Sequence, residues 1–122
     1  MKIRIEDNSV RLRLRRSEVD HLAKGGSLKS STVLSNGLFE YAIESSTEIS
    51  DLTAGFSAGC ITIRVPEAWI KEWPDSPKVG FETRKHFNGA ELHLLVEKDF
   101  VCLDRNLEDQ ADQYPHPKQG AL

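Results

Sequence analysis

The 122-residue sequence predicts an α+β fold: mainly antiparallel strands, in a sheet or small barrel, built from two duplicated β-β-α-β-β units with two short helices. Three observations carry that expectation. Several runs alternate apolar and polar residues, as half-buried strands do. One short stripe of helical spacing lies in each half. The landmarks of the first half then recur, in order, about fifty residues later.

Residues 2–6 (KIRIE) and 9–14 (SVRLRL) alternate, and Asp7-Asn8 between them suit a tight turn. Pairing Glu6 with Ser9 sets Ile5 opposite Val10 and Ile3 opposite Leu12 on one face. The other face then carries Arg4 opposite Arg11 and Lys2 opposite Arg13. Ser17 is the expected N-cap of a short helix with Val19, Leu22 and Ala23 as its apolar stripe, stopped by Gly25-Gly26. A strand at about 27–34, a turn at Asn36-Gly37 and a strand at 38–44 complete the unit. A polar linker, 45–51, leads to a second hairpin, 53–57 and 60–65, around Ala58-Gly59. Pro66 opens a helix, where its missing N–H costs little, and Ala68, Trp69, Ile70 and Trp73 form its stripe before Pro74. Trp69 and Trp73 read as core residues rather than a partner-binding face. A strand at about 78–86, the Asn88-Gly89 turn and a last strand over 92–103 (LHLLVEKDFVCL) follow. Glu97, Lys98 and Asp99 inside that strand require partners, because an unpaired charge in an apolar setting is costly.

Superimposing the halves puts Ile3, Ile5, Val10, Leu12 and Leu14 on Ala54, Phe56, Ile61, Ile63 and Val65. Val19 and Leu22 fall on Ile70 and Trp73, Leu28 on Val79, Asn36-Gly37 on Asn88-Gly89, and Glu44 on Glu97. The expected organisation is a single domain, 1–103, made of repeats at about 2–45 and 53–98, with an acidic tail, 104–122. A lone unit would expose its apolar face, so the halves should be inseparable.

A net charge of −3 and a pI near 5.8 carry no general polyanion-binding signal, so nucleic acid is not the expected partner. Cys60 and Cys102 belong to no CxxC pair and read as ordinary thiols rather than a disulfide framework or zinc site. The opening MKIRIEDNS has no apolar signal segment, and no stretch is long and apolar enough for a membrane span. The expectation is therefore a cytoplasmic protein.

The opening MKIRIEDNSVRLRL followed by SEV, and the closing LLVEKDFVCLD…EDQADQYPHPK, carry a resemblance over nearly the whole chain. The sequence resembles a small bacterial family of uncharacterised proteins, a domain of unknown function. That resemblance implies a stand-alone protein and transfers no activity, cofactor or catalytic residue onto any position.

Two constellations have the chemistry for a site. Lys2, Arg4, Arg11 and Arg13 share one face of the first hairpin, with Arg15 extending the row. Like charges directly opposite on paired strands destabilise each other, so something must compensate. An anionic ligand would do so, since guanidinium groups suit planar oxyanions. Glu40 and Glu44, or Glu91 and Glu97, would serve as internal counter-charges instead, and plain solvation is a third reading. The matching positions of the second copy, Thr53, Gly55, Thr62 and Arg64, keep one charge of the four. Closure of the sheet with these charges inward would be similar to triphosphate-tunnel enzymes, whose ExExK strand motif is absent here. That alternative, a metal-dependent phosphohydrolase, would use Glu97 and Asp99 as its first ligands.

Glu97 and Asp99 also share strand parity with His93 and Glu91. Asp104, Glu108, Asp109 and Asp112 beyond them offer oxygen donors for Mg²⁺ or Ca²⁺, but without EF-hand spacing. An acidic strap over the basic hairpin, anchored by Tyr114, fits that tail better than a metal site. His21, His86, His93 and His116 show no ligand spacing, and neither GxSxG nor a Gly-rich phosphate loop is present. The expectation is a small binding or accessory protein for an anionic small molecule or a protein partner. Its ligand-binding candidates are Lys2, Arg4, Arg11, Arg13, Glu97 and Asp99; no metal, cofactor or catalytic residue is assigned.

Overall fold

A computed structural model describes residues 1–100. The elements in order are β1 (Lys2–Glu6), β2 (Ser9–Leu14), α1 (Arg16–Ala23), β3 (Leu28–Leu34) and β4 (Gly37–Ser46). Then come β5 (Thr53–Ser57), β6 (Cys60–Pro66), α2 (Glu67–Glu72), a 3₁₀ turn (Trp73–Asp75), β7 (Gly80–Phe87) and β8 (Ala90–Lys98). Each half therefore runs β-β-α-β-β, as the sequence predicts.

The strands form two four-stranded sheets, ordered β1-β2-β8-β7 and β3-β4-β6-β5. Each sheet takes one hairpin from each half. The two hairpins of a sheet meet through a parallel central pair, β2 with β8 and β4 with β6, while the outer pairings are antiparallel. A shift of 51 residues carries the Lys2↔Arg13 pairing onto Thr53↔Arg64, and a shift of 53 carries Leu28↔Ile43 onto Phe81↔Val96. The same operation that maps the first half onto the second thus exchanges the two sheets. Neither sheet closes into a barrel.

Tight turns make the hairpins possible. Asp7, Ala58 and Asn88 hold φ of 50°, 51° and 49°, and Gly59 and Gly89 follow at 76° and 81°. Paired positive φ values match the twist of the flanking strands. The β3–β4 hairpin differs from expectation. Its turn is Ser35-Asn36, with Leu34 paired to Gly37. A turn on Asn36-Gly37 would set Leu28 opposite Ser45; the observed register sets it opposite buried Ile43 instead. Packing of that apolar pair outweighs the local turn preference.

The inward positions of both sheets feed one apolar cluster. Leu12, Leu14, Leu94, Val96 and Phe81 come from one sheet, and Ile43, Ile63 and Val65 from the other. Val19, Leu22, Ile70 and Trp73 of the helical segments and Leu52 of the connection complete it. Burying each such side chain stabilises the fold by roughly 1.5–3 kcal/mol. The helices leave the C-terminal ends of β2 and β6 and touch each other, so they cover one end of the core. Trp73 is a core residue, as expected, whereas Trp69 packs half-buried against the core; both rings lie on Phe81, at 4.9 and 5.3 Å between centroids respectively. Trp73 also donates its indole N–H to the Lys78 carbonyl at 2.9 Å.

Two boundaries move. Arg15, not Ser17, is the N-cap of α1, and Glu18 reaches back to accept the Arg15 N–H at 2.8 Å. The last strand ends at Lys98 rather than continuing to 103, because its partner β2 ends at Leu14, where the chain turns into the helix. Asp99 closes the ladder by donating its N–H to the Leu14 carbonyl at 2.8 Å. Glu97 and Lys98 therefore sit at the strand's end, where partners and water are within reach. The expected tail, with Asp104, Glu108, Asp109, Asp112 and Tyr114, lies outside the described residues, as does Cys102. Cys60 is a half-buried free thiol.

Candidate functional site

Strand alternation places Lys2 and Arg4 of β1 and Arg11 and Arg13 of β2 on the outer face of the first sheet, away from Leu12 and Leu14. The pairing is the one the sequence predicts, Arg4 opposite Arg11 and Lys2 opposite Arg13. Parallel pairing with β8 then puts Glu97 beside Arg13. Glu97 Oε1 lies 3.0 Å from Arg11 Nε and 4.0 Å from Arg13 Nε. Lys2 Nζ lies 3.3 Å from Asp99 Oδ2, and Arg4 lies 3.0 Å from Glu6 Oε2. All six candidate residues are thereby on one face, with counter-charges among them. Of the four expected counter-charges only Glu97 meets the row. Glu40 and Glu44 pair with Lys29 and Arg64 in the other sheet, and Glu91 pairs with Arg84.

Compensation of the row is incomplete. Arg11 Nε is buried and makes no hydrogen bond of acceptable geometry, although Glu97 is within ion-pair distance. The contact is a charge–charge contact without a directed N–H···O bond. Arg13 shares the same carboxylate at longer range and is half exposed. A cleft of about 60 Å³ opens between Arg4, Glu6, Ser9 and Arg11. Ser9 and Glu6 were legible as members of this notch, since they are the pair flanking the turn, but parity alone drew attention only to the cations.

Further along the face, β7 adds a second charged group. Glu82 accepts from His93 at 2.9 Å, and Arg84 donates to Glu91 at 2.9 Å, with His86 3.8 Å from the same carboxylate. The His93 hydrogen bond holds the Glu82 carboxyl below the usual carboxylate range, and the Arg84 hydrogen bond does the same for Glu91. Arg84 is correspondingly raised by Glu91. Glu82 and Arg84 were not singled out from sequence, because the β7–β8 register decides which residues join this face.

An enclosed tunnel is not formed. The charged residues of the row face outward from an open sheet, and the buried positions are all apolar, so Glu97 and Asp99 do not converge with the arginines inside a cavity. Among the described residues no group of three or more His, Cys, Asp or Glu side chains stands ready to hold a metal ion. A larger, open cleft of about 580 Å³ lies between the end of α1 and α2. Lys24, Glu48, Glu67 and Lys71 line it, two charges of each sign, and Lys71 pairs with Glu67 at 2.9 Å. No helix among the described residues is long and apolar enough to cross a membrane.

Neither the curated proteins nor the solved structures contain a match to the chain. Residues 1–118 match the model of a family of unknown function (DUF7009), and the chain belongs to that family.

Proposed function

We propose that the protein is a binding module that takes an oxyanion-bearing small molecule in the notch between Arg4 and Arg11. The observation that carries this reading is the direct cross-strand pairing of those two arginines beside a cleft that also presents Ser9. Like charges held opposite each other cost stability that a bound anion would recover. A guanidinium offers a planar fork of donors to phosphate, sulfate or carboxylate, and a serine hydroxyl adds a neutral one. Glu6, at the rim, favours a ligand that leaves part of the notch to Arg4's existing partner. Arg13 and Lys2 extend the positive strip along the strand, which suits more than one anionic group in a row.

A thermal-shift series with inorganic phosphate, nucleotides and polyphosphate, with and without Mg²⁺ or Mn²⁺, tests this reading. A ligand that binds only the folded state raises the midpoint by mass action. The expected result is a rise with phosphate-bearing anions that is lost in Arg4→Gln/Arg11→Gln, while the unliganded midpoint of that variant stays within a few degrees of the parent. Flat responses with every anion would overturn the proposal. A rise that survives the double substitution would place the anion elsewhere and overturn it equally.

A further inference from the structure

The two sheets are related by the internal repeat, yet their outer faces and edges differ in one systematic way. In the first sheet, His86 and Glu91 face each other near the β7–β8 turn, and Arg84 joins them in an ion cluster. At the positions 53 residues earlier, the second sheet has Val33 facing Leu38, with Ser31 in place of Arg84. Val33 is 84% exposed, Leu38 48% and the neighbouring Leu34 55%. A charged network has become an exposed apolar corner.

That corner lies on a sheet edge. Among the described residues no strand pairs with the free side of β3. Free edges are templates for further pairing, and proteins that avoid such pairing place charges or proline there. Both edges of the first sheet do so. β1 carries Lys2, Arg4 and Glu6, and β7 carries Glu82, Arg84, Lys85 and His86. Over its seven residues β3 has one charge, Lys29, and no proline. The fourth edge, β5, is short and interrupted by Gly55, which weakens it as a template.

We infer that the β3 edge joins a second copy of this chain, antiparallel and two-fold symmetric, into a continuous sheet across both molecules. The register follows from the hairpin. Leu34 and Gly37 flank the two-residue turn, so their backbone groups point at each other. Alternation then leaves the N–H and C=O groups of Val33, Ser31 and Lys29 pointing away from β4. A two-fold axis through Ser31, the middle of the strand, sets Ser31 opposite its own copy and Lys29 opposite the partner's Val33, twice. About six backbone hydrogen bonds result, two from each of the three facing pairs. In the same register Leu28 meets the partner's Leu34 on the other face, also twice. The strand is self-complementary in charge, because its single lysine never faces itself but lies across an apolar residue that its methylene stem covers. No such register relieves the like charges on a partner rich in lysine or arginine, and a copy of the same strand meets the requirement without any new chemistry.

Sedimentation velocity of the full chain over roughly 1 µM to 1 mM, spanning ordinary self-association constants, reads the dimer directly. The variants Val33→Lys and Val33→Glu discriminate the register, because Val33 is exposed in the single chain and either change leaves the fold intact. The lysine would face the partner's Lys29 twice and weaken association by about tenfold or more; the glutamate would face it as an ion pair and keep or tighten the dimer. A concentration-dependent dimer with those opposite responses is the expected result. A parent protein that stays monomeric throughout, or two variants that respond alike, would overturn the inference.

Discussion

At the scale of single residues, charge is placed where the backbone has already arranged a partner. Glu18 is the clearest case. Its two oxygens accept from the amino terminus of Met1 at 2.7 Å and from the Arg15 N–H at 2.8 Å. Burial pushes this carboxyl upward, but the two hydrogen bonds and the adjacent positive charges outweigh it, and the group lies below the usual carboxylate range. Glu18→Gln should therefore destabilise the protein by about 1.5–3 kcal/mol at neutral pH, the range for hydrogen bonds to charged groups. A depressed folded pKa contributes stability that is fully present above the unfolded value, near 4.3, and is lost as the pH falls through the folded one. Urea denaturation of both proteins at a series of pH values should show the difference shrinking in that acid window. A difference independent of pH would mean that the carboxylate charge is not the cause. Exposed pairs such as Arg64–Glu44 belong to a different class and contribute little, since water screens them.

At the scale of elements, hairpin formation was legible in the sequence and sheet assembly was not. Alternation together with Asp7-Asn8 was enough to give the β1–β2 register residue by residue, including the Arg4–Arg11 pair at the candidate site. The β3–β4 turn was misplaced because Asn36-Gly37 is a strong local signal, whereas Leu28 and Ile43 set the register from the far end of the hairpin. Parallel pairing of β2 with β8 left no trace in either strand, because periodicity reports which face is buried and not which neighbour lies alongside. Glu97 was for that reason one of four candidate partners until the fold selected it. Close approach within an element is equally hidden. A Cβ at Gly80 would collide with the backbone of Val96 and Glu97 across the β7–β8 ladder, whereas one at Gly26 would meet only the ring of His21, a side chain able to swing aside. Gly80→Ala should thus cost about 1–3 kcal/mol, the range for forced overpacking, and Gly26→Ala distinctly less. Equal losses in thermal or chemical unfolding would show that the ladder around Gly80 relaxes freely.

At the scale of the whole molecule, the duplication explains why eight strands make two sheets instead of one. Each half contributes a hairpin to both sheets, so neither half can complete a sheet by itself. The apolar cluster confirms the same dependence, since Leu12 and Leu14 of the first half pack in one cluster with Leu94 and Val96 of the second. Symmetry of the framework also makes its departures informative. The first sheet keeps a charged outer face, which supports the anion-binding proposal, and the second has an edge strand with a single charge, Lys29, which supports self-association. We propose that the two repeats form one folding unit that cannot be divided. The most direct measurement is to prepare residues 1–48 and 49–122 as separate peptides and record circular dichroism and thermal unfolding of each alone and of the equimolar mixture. Each peptide alone should lack a cooperative transition, and the mixture should recover strand signal and melt cooperatively. A half that folds by itself with a sharp transition would contradict the interleaved architecture.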